Sequence, residues 1–265
     1  MSRIAICTYI PLGALAKRKG PAVQAVILAG GLGTRLRAML GNGNKPMAAV
    51  AGKPFLEYLV LQLKRHGINQ ATLCVGYRGE IVQRYFGSGA RWCVDISYSF
   101  EEDLRGTAGA LKVAQPAVQS DTFIILNGDS FFDIDLNALI AYHHQKKALA
   151  TIALAKVLDT RRFGAVETAS DGAIVGFLEK GQQRGIGLVN AGIYVFQHDI
   201  LDRIPDGCPV SLETDVFPQL IGQRFYGMHC TGYFVDIGVP EAYLDLQADP
   251  SRLQAATPEG EGVPC

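Results

Sequence analysis

The chain has 265 residues, 48% of them hydrophobic, enough to bury one large core with elaborations but a squeeze for two independent domains. Lys plus Arg and Asp plus Glu both number 25, so no overall field recruits nucleic acid or an anionic membrane surface, and any phosphate binding must be local. Six cysteines with no CxxC pair and no histidine at zinc spacing suit a reduced, cytoplasmic protein, and no apolar run approaches the ~20 residues of a membrane span.

Residues 1–22 read as an N-terminal extension. Their apolar stretch contains Pro11 and Gly13 and is followed, not preceded, by Lys17, Arg18 and Lys19, the reverse of a secretory signal. Regular patterning begins at Val23 and runs to residue 247, with a first half over about 23–150 and a second over about 151–247. A strand is predicted at 26–28, a helix at 54–66 stopped by Gly67, a strand at 71–75, a helix at 80–86, a strand at 96–100, a helix at 107–114 and a strand at 122–126. A further helix begins at Leu136, capped by Asp135. Short apolar strands alternating with helices imply an α/β fold with a mainly parallel sheet covered on both faces. Strands then follow in quick succession at 150–157, 165–168, 174–179 and 188–196, with Asp171-Gly172 as a turn. Residues 211–221 and those after Pro240 return to helical patterning. Residues 248–265, rich in Pro, Gly and small polar residues, read as a flexible tail.

The segment Leu28-Ala29-Gly30-Gly31-Leu32-Gly33-Thr34-Arg35-Leu36 follows a buried strand. Consecutive glycines let backbone N–H groups reach phosphate oxygens, and a following helix start adds its positive dipole. A dinucleotide fingerprint fails on spacing, because Leu36 stands where the last glycine belongs. A P-loop fails because Gly52-Lys53 is followed by Pro54.

The run GGLGTRL with Lys45-Pro46 beyond it resembles the signature of the sugar-phosphate nucleotidyltransferases. The resemblance continues through Leu126-Asn127-Gly128-Asp129, Phe163-Gly164, Phe177-Leu178-Glu179-Lys180, Asn190-Ala191-Gly192-Ile193-Tyr194 and Val235-Asp236-Ile237-Gly238. Within that family, NGDSFFDIDL and FVDIGVPEAY are most similar to the D-glycero-α-D-manno-heptose 1-phosphate guanylyltransferases, with mannose 1-phosphate and N-acetylmuramate 1-phosphate enzymes as near relatives. The resemblance implies a Rossmann-like, doubly wound three-layer sandwich with a mixed, mostly parallel sheet. It further implies transfer of a nucleoside monophosphate, GMP from GTP being favoured, to a sugar 1-phosphate with release of pyrophosphate.

Such a reaction brings two polyanions together, so cations and backbone donors should dominate over any acid or base. Arg35 can bridge phosphate oxygens through its planar guanidinium, and Lys45 offers a compact charge to the α-phosphate. Leu28, Ala29, Gly30, Gly31, Gly33 and Thr34 form the expected nucleotide cradle, joined by Gly106, Thr107, Asn127 and Asp129. Glu101 is a candidate reader of guanine, whose ring N–H and amino group one carboxylate can accept together. Asp129 and Asp236 each end an apolar strand and can share a magnesium ion, for which manganese can substitute; in the family these positions are the metal ligands. The resemblance assigns Gly164, Glu179, Lys180 and Asn190 to the sugar phosphate. No nucleic acid or membrane partner is expected, and self-association is left open. A glycosyltransferase reading would use Asp133-Ile134-Asp135 as a metal motif, but such an enzyme has no triphosphate to cradle. His143 and His144 read as the exposed side of a helix end, Met39, Met47 and Met228 as packing, and Trp92 as structural.

Overall fold

The computed structural model describes residues 23–31, 33, 44–178 and 185–257. Its centre is a seven-stranded sheet. The N-terminal half contributes β1 (Gln24–Leu28), the short hairpin of β2 (Ala49–Val50) and β3 (Lys53–Pro54), α1 (Phe55–Arg65), β4 (Gln70–Val75), α2 (Gly79–Phe86), β5 (Asp95–Phe100), α3 (Gly106–Ala114) and β6 (Thr122–Asn127). The chain continues through β7 (Ser130–Phe132), α4 (Leu136–Gln145), β8 (Ala150–Val157), β9 (Ala165–Thr168), β10 (Ile174–Leu178) and β11 (Gly187–Gln197). It ends with α5 (Asp199–Arg203), a π-helical turn (Leu212–Val216), α6 (Phe217–Leu220), β12 (Phe225–Cys230), β13 (Phe234–Asp236), α7 (Pro240–Ala248) and α8 (Ser251–Ala256).

Spatial order in the sheet is β12-β8-β11-β6-β1-β4-β5. β1 pairs in parallel with β4 and β6, and β4 with β5; β11 is antiparallel to both β6 and β8, and β12 runs parallel with β8. The fold is therefore the mixed, mostly parallel three-layer α/β sandwich expected. Alternating residues of β1 explain the layering: Ala25 and Ile27 enter one core and Val26 the other. A strand apolar on both faces needs helices above and below it. α1 supplies one cover through Phe55, Leu56, Leu59 and Leu63, all fully buried, at helical spacing. Gly67 then takes φ +70°, ending that helix as the sequence indicated.

Three expectations need correction, and one strand was not foreseen. Residues 211–221 do not form one helix; Ser211 caps a π-helical turn that leads into the four-residue α6. β12 was not foreseen, because Gly227 and the exposed His229 break its apolar alternation. Residues 251–256 form α8 rather than a loose tail, with Leu253 fully buried. His143 is fully buried, on the core stripe that Leu136, Leu139 and Ile140 begin on α4; only His144 is on the exposed side. The His143 ring contacts Thr151 Oγ1 at 2.9 Å and Gln197 Nε2 at 2.8 Å, and burial pulls its pKa down to about 3.

Met47 and Met228 pack against the core as expected, and Trp92 sits in an aromatic cluster with Phe86 and Tyr85. Cys74 and Cys230 are buried free thiols. Among the described residues no helix is long and apolar enough to cross a membrane.

Candidate active site

Because β1, β4, β5 and β6 run in parallel, the residues after their carboxyl ends gather along one edge of the sheet, where open α/β sheets place ligands. A cavity of about 340 Å³ opens there. It is lined by Leu28, Ala29, Gly30, Gly31 and Gly33 after β1, by Glu101 and Leu104 after β5, by Gly106 and Thr107 at the start of α3, and by Asn127, Gly128 and Asp129 after β6. Lys45 and Pro46 close one side. The structure thus brings together every nucleotide-side residue nominated from the sequence except Thr34 and Arg35, which lie outside the described residues, as does Met39.

Two glycines bring charged side chains close to the loop backbone. A Cβ at Gly30 would stand 2.4 Å from Glu101 Oε1, so the carboxylate lies directly on the backbone of the loop. At Gly33 the φ of +55° already disfavours a side chain, and a Cβ would meet Lys45 Cβ at 2.7 Å. The loop thus lies against Glu101 and Lys45, two of the charged side chains that line its cavity.

Lys45 begins a short 3-10 turn whose second residue is Pro46. The buried Asn44 fixes its entry by donating from Nδ2 to the Tyr77 carbonyl at 2.9 Å. From this turn Lys45 Nζ reaches Asp129 Oδ2 at 2.6 Å, with only 11% of the lysine side chain exposed. Asp129 lies between β6 and β7. β7 pairs antiparallel with β13, setting Asp236 opposite Ser130, and Ile237 N–H donates to the Asp129 carbonyl at 2.9 Å. The two aspartates, distant in sequence, are neighbours across this ribbon.

Burial pushes the Asp236 carboxyl up, and the negative charge of Asp129 adds to that; the Gly238 N–H, Lys45 and Arg162 oppose it. Burial likewise raises Glu101, against the Arg105 N–H and guanidinium, which hold its charged form. That Arg105 N–H lies 3.4 Å from Glu101 Oε2. Asp133 and Asp135 are otherwise engaged, Asp133 with Arg65 at 2.6 Å and Asp135 capping α4 through the N–H groups of Asn137 and Ala138. This removes the formal metal motif of the glycosyltransferase reading.

A second cavity of about 420 Å³ adjoins on the β11 side, lined by Phe163, Gly164, Phe177, Leu178, Asn190 and Phe217 among others. Gly164 and Asn190, nominated for the sugar phosphate, are both here; Glu179 and Lys180 lie outside the described residues. Residues that the sequence did not single out connect the two chambers. The Tyr194 hydroxyl, on β11, accepts from Asn190 Nδ2 at 3.1 Å and from Asn127 Nδ2 at 3.3 Å, so one phenol orients an amide in each chamber. Burial and the charge of Glu213 push that phenol well above its ordinary pKa, keeping it neutral. Glu213 itself lines both cavities. Tyr194 stood inside a quoted motif without a role, whereas Glu213 carried no signal, since its partner Thr107 lies 106 positions away.

The parallel edge with its glycine loop, and the two adjoining chambers, define a transferase acting on a nucleotide. Residues 24–252 match the family model described as Nucleotidyl transferase. The chain is 37% identical over 243 residues to the mannose-1-phosphate guanylyltransferase of Mycobacterium tuberculosis, covering 91% of this chain and 68% of that protein. It is 36% identical over 228 residues to the D-glycero-alpha-D-manno-heptose 1-phosphate guanylyltransferase of Aneurinibacillus thermoaerophilus, covering 86% and 98%. The crystal structure of HddC from Yersinia pseudotuberculosis superposes with a TM-score of 0.78 at 30% identity, covering 86% of this chain and 99% of that one; a second structure of HddC is complexed with GMP-PN. The chain belongs to the nucleotidyl transferase family, and its class is that of the sugar-1-phosphate nucleotidyltransferases.

Proposed function

We propose that this enzyme transfers GMP from GTP to D-glycero-α-D-manno-heptose 1-phosphate, releasing pyrophosphate, with a magnesium ion held by Asp129 and Asp236, in the cytoplasm. The observation that carries the guanylyl reading is Glu101, a carboxylate set against the Gly30 backbone in the nucleotide chamber. Guanine offers a ring N–H and an amino group side by side, and one carboxylate accepts both. Uracil offers no such pair and would leave the half-buried Glu101 carboxylate without the paired donors, a mismatch that disfavours the wrong substrate. The heptose reading is supported by overall likeness: this chain aligns with 98% and 97% of two curated heptose 1-phosphate guanylyltransferases, the second from Campylobacter jejuni at 37% identity. Mannose 1-phosphate is the second reading, favoured by the match to the M. tuberculosis enzyme over 91% of this chain.

Asp129 and Asp236 fit a hard divalent cation. Both offer carboxylate oxygens, and the ionisation of Asp236 is opposed by its neighbour, a repulsion a cation would relieve. Among the described residues no group of three or more His, Cys, Asp or Glu side chains converges, so phosphate oxygens and water would complete the shell, as magnesium prefers. When bound, magnesium would neutralise phosphate charge and polarise the α-phosphorus. The chain's own residues do the rest. The Gly30–Gly33 loop donates backbone N–H groups to the phosphates, Lys45 steadies Asp129 and the charge growing at the α-phosphate, and Arg35 bridges phosphate oxygens. Glu179 and Lys180 hold the attacking sugar phosphate, and Asn190 and Gly164 fit the sugar. The attacking oxygen forms its bond to the α-phosphorus as the bond to pyrophosphate breaks on the opposite side.

Incubating the purified protein with each of GTP, UTP, dTTP and ATP against a panel of sugar 1-phosphates, and following pyrophosphate release, tests this directly. The proposal expects the highest kcat/KM for GTP with the heptose phosphate. Faster turnover with UTP, or with a different sugar phosphate, would replace the corresponding half of it.

A further inference from the structure

Glu213 occupies a position that the reaction scheme above leaves without a task. It lies on the π-helical turn Leu212–Val216 and faces both chambers. One of its oxygens, Oε2, accepts two hydrogen bonds, from Thr107 Oγ1 at 2.8 Å and from Ser211 Oγ at 2.8 Å. Both hydroxyls are themselves held by backbone. Thr107 Oγ1 accepts from Leu212 N–H at 2.7 Å, and Ser211 Oγ accepts from the N–H groups of Glu213 at 3.1 Å and Thr214 at 3.3 Å. Each hydroxyl proton is therefore directed at Oε2, and the carboxylate is fixed before any ligand arrives. Its other oxygen, Oε1, has no hydrogen-bond partner among the described residues.

A preorganised anionic acceptor at the junction of two substrate chambers selects what can meet it. Phosphate groups are repelled, so the part of either substrate that lies against Oε1 is a hydrogen-bond donor. The donors common to a nucleotide and a sugar phosphate at such a junction are hydroxyls, either on the ribose or on the sugar ring. We infer that Glu213 is a specificity-determining residue whose free oxygen accepts a hydrogen bond from a substrate hydroxyl where the two chambers meet. Thr107 and Ser211 act as positioning residues behind it. This inference rests on the transferase reading given above.

The test compares kcat/KM for the wild type and Glu213→Gln. Glutamine keeps an oxygen for Thr107 and Ser211 but presents a neutral amide NH2 to the substrates in place of an anionic acceptor. One arm uses GTP, 2′-deoxy-GTP and 3′-deoxy-GTP with a fixed sugar 1-phosphate; the other uses GTP with singly deoxygenated forms of that sugar 1-phosphate. In the wild type, removal of one particular hydroxyl should lower kcat/KM by about 10-fold or more, and in Glu213→Gln that ratio should collapse toward one. Collapse in the first arm assigns the hydroxyl to the ribose, and collapse in the second assigns it to the sugar. A Glu213→Gln variant that slows every substrate by the same factor, or slows none, overturns the inference while the transferase reading stands. If the wild type releases no pyrophosphate with any pair, that reading falls and this inference with it. Should Glu213→Gln fail to fold by thermal denaturation, Glu213→Asp replaces it: the charge is kept, the acceptor is withdrawn by one methylene, and the same ratio must shrink.

Discussion

The two chambers of this enzyme are built on different principles. On the nucleotide side, parallel strands β1, β4, β5 and β6 end along one edge, and the backbone after β1 lies against Glu101 at Gly30 and against Lys45 at Gly33. On the sugar side, antiparallel β9, β10 and β11 and the π-helical turn bring Phe163, Asn190, Glu213 and Phe217 together from distant parts of the chain. On the proposed reading the first chamber holds a triphosphate through main-chain geometry and reads its base through Glu101. On the same reading the second sorts sugars, through side chains. Substitutions on the two sides should accordingly fail in different ways, with those at their junction failing in both.

The largest effect belongs to the aspartate pair. Asp129→Asn and Asp236→Asn should each lower kcat by roughly 10³-fold, since each removes charge on which the transition state relies; single-turnover pyrophosphate release measures it. Lys45→Met should cost roughly 10²-fold in kcat with a smaller change in KM. Next comes the nucleotide side: Gly30→Ala forces Glu101 Oε1 away from a 2.4 Å contact, and should reduce the preference for GTP over UTP by about 10-fold. Comparable loss for both nucleotides would show that the loop, not the base reader, had been disturbed. A smaller effect should follow Tyr194→Phe, which leaves Asn127 and Asn190 without their shared acceptor. Removing these bonds should destabilise the protein by about 1–2 kcal/mol and raise KM for the sugar phosphate more than for the nucleotide.

Two pH effects sharpen the comparison further. The raised Asp236 carboxyl binds its proton more readily folded than unfolded. Its contribution to stability is complete below the ordinary aspartate range and is lost as pH rises through the folded value. Without metal, Asp236→Asn should therefore raise Tm at pH 7 and have little effect in acid. His143 shows the opposite sign. Its folded pKa of about 3 lies below the ordinary 6.5, so the stability it contributes is present above pH 6.5 and is lost as pH falls toward 3. Over that window the slope is about 1.4 kcal/mol per pH unit, and His143→Gln should flatten the acid limb of a denaturation profile.

The same contrast explains what the sequence made legible. Backbone-determined features leave local traces: consecutive glycines after an apolar strand, a proline fixing the turn of Lys45, aspartates at strand ends. These located nearly all of the nucleotide chamber. Features made by packing at long range leave none. Nothing near Glu213 indicates that Thr107 will donate to it, and nothing near His143 except the spacing from Leu136, Leu139 and Ile140 indicates that it is buried. β12 escaped notice because an edge strand tolerates Gly227 and an exposed His229, which blur the alternation that marks a strand. The sequence misled at α8, read as part of a flexible tail, because Leu253 and Ala256 are its only buried residues in a polar, small-residue stretch.

The central claim is that Asp129 and Asp236, joined across β7 and β13, hold one divalent ion beside the nucleotide chamber. The most direct measurement is pyrophosphate release from GTP and heptose 1-phosphate by protein stripped with a chelator and then titrated with magnesium. The account predicts no turnover in the stripped enzyme, full recovery with magnesium, and a large rightward shift of the titration in Asp236→Asn. Undiminished turnover without metal, or identical titrations for the wild type and Asp236→Asn, would contradict it.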